Sequence, residues 1–164
     1  MPERATVRRA RRDKRTGKSA STQAGEFVRE EIEHIREGKH GARSAKQAIA
    51  IGLSKARRSG VDLPAKRTTS ARTRRQAKRD LAKGRKRARK VSVTRSRAVV
   101  GELGREGTRA ASRSSLARQA RSSARSRTAR QRSAAARKAV LTKGARRRSA
   151  AAKKAARTRS RQRG

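Results

Sequence analysis

Large apolar side chains are scarce in this chain, and their placement limits what can fold. Ile, Leu, Val and Phe together make up 19 of the 164 residues. Nine of them (Phe27, Val28, Ile32, Ile35, Ile49, Ile51, Leu53, Val61 and Leu63) fall between residues 24 and 63. A chain this poor in apolar groups, carrying a formal charge of +41, buries too little surface to offset its ordering entropy, which is the signature of disorder. The sequence therefore predicts one small folded module, with the remainder disordered when alone.

Charge divides the chain at the same places. Residues 1–18 carry 8 basic and 2 acidic side chains, residues 19–65 carry 8 and 6, and residues 66–164 carry 36 and 3. This defines a basic N-terminal arm (1–18), a nearly balanced module (19–65) and a low-complexity Ala/Arg/Lys/Ser tail (66–164). The absence of Cys excludes disulfides, thiolate metal sites and Cys nucleophiles. The basic N-terminus leads into no apolar h-region, so neither a secretory signal nor a membrane span is predicted and a cytoplasmic location is expected.

Within the module, Ala24, Val28, Ile32 and Ile35 recur on one face of a predicted helix over 22–37, with Ser21 or Thr22 as N-cap and Gly38 as its end. Five acids (Glu26, Glu30, Glu31, Glu33 and Glu37) lie on it. Ser44 and Gln47 form a capping box that opens a second helix over 45–59. Ala45, Ala48, Ile49, Gly52, Leu53 and Ala56 share one of its faces, with Gly60 at the C-cap and Pro64 as a stop. The expected fold is all-α: a small helical hairpin with long basic arms that are largely disordered or transiently helical. Nine large side chains are too few to hold such a hairpin firmly by themselves, which points to a homodimer through the hairpin or to folding on a partner.

In the tail, Ala and Arg favour helix, but Gly84, Gly101, Gly104, Gly107 and Gly144 break the runs. Transient helices are expected over 73–83, 112–132, 149–157 and 134–142. A faint repeat pairs a Gly with a Ser that opens an Ala-rich basic helix, at Gly38 and Ser44, Gly107 and Ser112, and Gly144 and Ser149; Arg36-Glu37 and Arg105-Glu106 precede the first two.

An excess of 41 positive charges is tolerable beside a dense polyanion, so nucleic acid is the expected partner. The candidate binding residues are Arg8, Arg9, Arg11, Arg12, Lys14 and Arg15 in the first arm, and Arg43, Lys46, Lys55, Arg57 and Arg58 in the module. In the tail they are Arg85, Lys86, Arg87, Arg89, Lys90, Arg146, Arg147, Arg148, Lys153 and Lys154. Arg outnumbers Lys 38 to 14, and the planar guanidinium grips phosphate in a fork and enters a narrow minor groove. RNA and single-strand binders stack bases on aromatic rings; here the one aromatic residue is Phe27, on the predicted core face, and Asn, which reads adenine edges, is absent. Duplex DNA is thus favoured over RNA, with binding indifferent to sequence. A helix-turn-helix reading would place Lys46, Lys55, Arg57 and Arg58 on a recognition helix, but two helices with a short loop more often reflect plain packing.

Other chemistries find little support in the residues. Glu31 and His34 form E-x-x-H, half of a carboxylate-bridged metal motif; no second copy exists, the one other His is His40, and a solvated helix face is the expectation. No phosphate loop, triad or isolated carboxylate pair is present, so the sequence assigns no enzyme activity, cofactor, metal or small-molecule substrate. Membrane binding would need an apolar stripe opposite the basic one, and the tail offers mainly Ala.

The stretch from Ser21 to Glu31, with Lys39-His40-Gly41-Ala42-Arg43-Ser44-Ala45-Lys46-Gln47-Ala48-Ile49-Ala50-Ile51-Gly52-Leu53-Ser54-Lys55-Ala56-Arg57-Arg58, resembles a family of small basic uncharacterised bacterial proteins. Some members carry automatic names such as plasmid stabilization protein or DNA-binding protein. The resemblance implies a bacterial cytoplasmic origin and supplies no catalytic residues. The tail is similar only in composition to linker-histone-like and nucleoid-protein tails. The expected function is that of a nucleoid-associated, histone-like protein that neutralises and compacts DNA. The alternatives are an RNA- or ribosome-associated basic protein, and a plasmid-maintenance regulator whose acidic helix face binds a protein.

Overall fold

The computed structural model describes residues 2–66, 69–86 and 92–161, and the backbone alone at 138–139, 141–143 and 145–148. It overturns the expectation of a small hairpin with disordered arms: the arms are themselves helical. In chain order the helices are α1 (Arg4–Arg15), α2 (Ala20–Arg36), α3 (Ala45–Arg58), α4 (Ala71–Arg85), α5 (Val93–Gly104), a 3-10 turn (Thr108–Ala111), α6 (Arg113–Arg125) and α7 (Ala129–Arg161). α7 contains a break at Gly144, whose φ of 63° is not helical. The chain divides into two units, Met1–Gln119 and Ala120–Gly164, and α6 begins in the first and ends in the second.

The predicted hairpin is α2 and α3, with shifted details. Ser19, not Ser21 or Thr22, is the N-cap of α2. At the other end of α2, Gly38 (φ 73°) donates to the Ile35 carbonyl at 3.1 Å, and Lys39 donates to the His34 carbonyl at 3.0 Å. This paired closure needs a left-handed residue, which glycine supplies without a Cβ penalty. Ser44 caps α3 by accepting from Gln47 N–H at 3.2 Å, while the Gln47 amide oxygen accepts from Arg43 N–H at 3.0 Å. Gly52 lets the two helices meet: a Cβ there would lie 2.7 Å from Val28 Cα.

The first arm is ordered because α1 is amphipathic. Thr6, Ala10 and Asp13 face inward, and Val7 and Ala10 join Ala24, Phe27, Leu53, Ala56 and Val61 in one core. The Glu30 carboxylate accepts from Glu3 N–H at 3.2 and 3.3 Å, so an anion sits where the α1 dipole favours one. Arg9 Nε lies 2.6 Å from Glu26 Oε2. Buried Asp13 is answered by Lys18 Nζ at 2.6 Å.

The far end of the hairpin is closed by the tail. Ala110 and Ala111 cover Ile35, Ala42 and Ala48, and Arg36 Nε donates to the Ala111 carbonyl at 3.0 Å. Gly41 N–H donates to Leu103 O at 2.8 Å and Ala42 N–H to Gly107 O at 3.2 Å. A side chain at position 41 would overlap the Glu106 carbonyl. The apolar surface expected to need a second copy or a partner is thus covered in part from within the chain.

α4 docks on α3 through one acid. Asp80 is fully buried; it accepts from Ser54 Oγ and Arg58 Nε at 2.8 Å each and from Gln76 Nε2 at 3.1 Å. Gly84 passes so close to the Arg57 carbonyl that no Cβ would fit. Burial pushes the Asp80 carboxyl up, but the bonds from Arg58, Ser54 and Gln76 outweigh this and hold it below the usual carboxylate range. Its folded value being depressed, the stabilisation is fully present above the unfolded value of about 3.9 and is lost as pH falls through the folded one. Asp80→Ala leaves Ser54 and Arg58 without their acceptor and costs about 2–3 kcal/mol. Amide exchange checks this: protection should fall first in α4 and leave α2 least affected.

The Gly-Ser repeat survives in part. Ser112 caps α6, accepting from Ser115 N–H at 3.2 Å, as Ser44 caps α3. Ser149 lies inside α7 and opens no helix.

Candidate functional site

Acidic and basic side chains are used differently. Ten of the 11 acids take a cation or imidazole of this chain within 4.0 Å. The four acids of α2 and Glu37 at its C-cap are among them: Glu26 pairs with Arg9, Glu30 and Glu31 with Lys55, Glu33 with Arg29, and Glu37 with Lys39. Each acid of the face that a protein partner would use thus has a cation of this chain beside it, with Glu33 and Glu37 still about half exposed.

The basic residues outnumber these partners, and the helices arrange the surplus in stripes. On α1, Arg4, Arg8, Arg11 and Arg15 are exposed at helical spacing opposite Thr6, Ala10 and Asp13. They span about 16 Å along the axis, with exposed Arg12 and Lys14 beside them. On α4, Arg72, Arg75, Arg79 and Lys83 form a second exposed row opposite Ala77 and Asp80. Among the described residues none of these eight forms an ion pair. The α4 row was missed from sequence, although Ala77, Asp80, Leu81 and Gly84 mark the buried face by their spacing. In the second unit, Arg130, Arg132, Arg137, Lys153, Lys154 and Arg157 are exposed on α7.

The other candidates from sequence separate into three groups. Arg43, Lys46, Arg85 and Lys86 are exposed, Arg43 lying 3.4 Å from Glu106. Arg9, Lys55, Arg57 and Arg58 serve the fold: Arg9 holds Glu26, Lys55 meets Glu31 at 2.5 Å, Arg57 donates to the Leu63 carbonyl at 2.7 Å, and Arg58 holds Asp80. Burial lowers the Arg57 guanidinium below its ordinary value, partly opposed by Asp80. Of the four residues in the helix-turn-helix reading, Lys46 alone is left without such a bond among the described residues. Arg87, Arg89 and Lys90 lie outside the described residues, and Arg146, Arg147 and Arg148 fall in α7 where only the backbone is described.

Phe27 is 1% exposed, so it offers no ring for base stacking. No helix among the described residues is long and apolar enough to cross a membrane.

A second cluster lies at the C-terminal end of α2. Glu31 is fully buried, not on a solvated face as the sequence suggested. The closure at Gly38 turns the chain back so that His40 joins it, with His40 Nε2 3.4 Å from Glu31 Oε1. One ligand atom from each of Glu31, His34 and His40 lies within 4.8 Å of the other two. His34 Nε2 lies 2.9 Å from Glu3 Oε1, and this hydrogen bond, with the charges of Lys39 and Arg9 beside it, outweighs burial and holds Glu3 below the usual carboxylate range.

No curated protein and no solved structure matches the chain. Residues 11–67, covering the last five residues of α1 and all of α2 and α3, match a family of unknown function, DUF6496.

Proposed function

We propose that this protein binds duplex DNA with little regard for sequence, neutralising and compacting it as a nucleoid-associated, histone-like protein. The observation that carries the reading is the segregation of charge: ten of the 11 acids are paired within the chain, while exposed arginines line α1, α4 and α7. Rows of cations on helices follow a phosphate backbone and release its counterions. Phosphate contacts of this kind position a protein without reading bases, and the lack of exposed aromatic rings among the described residues agrees with that mode rather than with stacking on single strands.

Competition binding tests it. With labelled duplex bound, unlabelled duplex of unrelated sequence should compete as well as the original, and structured RNA at equal phosphate concentration should compete less well. RNA displacing the duplex more effectively than DNA would replace this reading with an RNA-associated one.

A further inference from the structure

We propose that Glu31, His34 and His40 form a binding site for a divalent first-row transition ion, with Zn2+ the probe of choice. The three ligand atoms already converge within 4.8 Å, and two imidazoles with one carboxylate are a donor set that such ions accept. The second observation is the state of Glu31 itself. Its side chain is fully buried, and its Oε1 accepts no hydrogen bond. Lys55 Nζ stands beside Oε2 at 2.5 Å, leaving Oε1 turned toward His40. A buried carboxylate oxygen without a hydrogen bond is expensive, and a bound cation would satisfy it.

The surroundings of both rings suit ligation. His40 Nδ1 meets the Gly41 carbonyl at 3.1 Å and His34 Nε2 meets the Glu3 carboxylate at 2.9 Å. Both partners are acceptors, so these nitrogens carry the protons, which leaves His40 Nε2, the nitrogen facing Glu31, as a ligand atom. Metal-bound histidines are oriented in this way, by a carboxylate or a backbone carbonyl. Charge agrees as well: Glu3, Glu30, Glu31 and Glu37 outnumber the Lys39 and Lys55 ammonium groups that meet them. The ion would join α2 to the loop that follows it and, through Glu3, to the start of α1. With three protein ligands, a coordination position remains for water.

The test is titration of the full, tag-free chain with Zn2+ by calorimetry, and with Co2+ by absorption. One ion per chain should bind, and Co2+ should lose the weak spectrum of its hydrated form for the stronger bands of a lower-coordinate site. Removing a hydrogen-bond partner of a metal ligand costs about 10–100-fold in affinity, the loss expected for Glu3→Ala. His34→Gln and His40→Gln remove ligands and should cost at least about 100-fold by the same measure. Zn2+ should raise the Tm of the native chain and not that of either His variant, since an ion stabilises only the state that binds it. The Co2+ spectrum requires no variant, so it decides even if a substitution unfolds the chain. Hydrated Co2+ persisting beside excess folded protein, or unchanged Zn2+ affinity in folded His40→Gln, overturns the proposal.

Discussion

Raising salt from about 50 to about 200 mM should weaken binding to duplex DNA by about 10³- to 10⁵-fold, the loss that accompanies 6–10 neutralised phosphates. The exposed rows on α1 and α4 alone contain eight cations free of ion pairs among the described residues, enough to engage that number. Fluorescence anisotropy with a short labelled duplex measures the slope directly. Replacing Arg4, Arg8, Arg11 and Arg15 with Gln should flatten it by about 0.9 for each phosphate no longer neutralised. Those four side chains point away from the core, so the helical content should be unchanged. An affinity indifferent to salt contradicts the mechanism.

Ending the chain after Ser126 removes 15 of the 52 basic residues and none of the acids. That cut falls between α6 and α7, so the packing of α1 to α4 and the 3-10 turn should persist. The truncated protein should remain folded by circular dichroism, bind duplex DNA more weakly, and show a shallower dependence on salt. Undiminished affinity would place the binding unit wholly within the first part of the chain. Cutting after residue 65 would be a poorer experiment: it removes Asp80 from Arg58 and Ser54, and Ala110 and Ala111 from Ile35. A failure to bind there would report unfolding as much as missing charge.

The parts of the fold legible in the sequence were those written in local chemistry. Ser44 with Gln47, and Gly38 after an apolar stripe, mark helix ends whatever surrounds them, and α2 and α3 follow from them. What escaped was packing through small residues. Of the twelve buried apolar residues among the described ones, nine are alanine, and a count of large side chains passes over them. Alanine at helix contacts is effective here because Gly52 brings α2 and α3 close together. α1 was hidden by the density of its arginines, although Thr6, Ala10 and Asp13 keep helical spacing beneath them. Asp80 was the signal for α4: one acid in an arginine-rich stretch, whose partners on α3 lie 22 and 26 positions away and so were invisible to local pattern.

The candidate metal cluster was half legible for the same reason. Glu31 and His34 share a face by spacing alone. His40 joins them only because the chain reverses at Gly38, and nothing in the local pattern signals that the face is covered. The exposed basic residues were easier to find than to sort. Composition cannot tell Arg11, which faces solvent, from Arg9, which is spent on Glu26.

The packing of residues 103–107 against residues 41–42 also bears on synthesis. Ile35, Ala42 and Ala48 are translated long before Ala110 and Ala111, which cover them. Because a nascent chain is made from its N-terminus, that end of α2 and α3 stays uncovered until about two-thirds of the protein has left the ribosome. During that interval the half of the core shared with α1 can already close, since it lies wholly between Val7 and Leu63. Translation order thus lets one end of the hairpin close before the other, whose cover arrives with the tail.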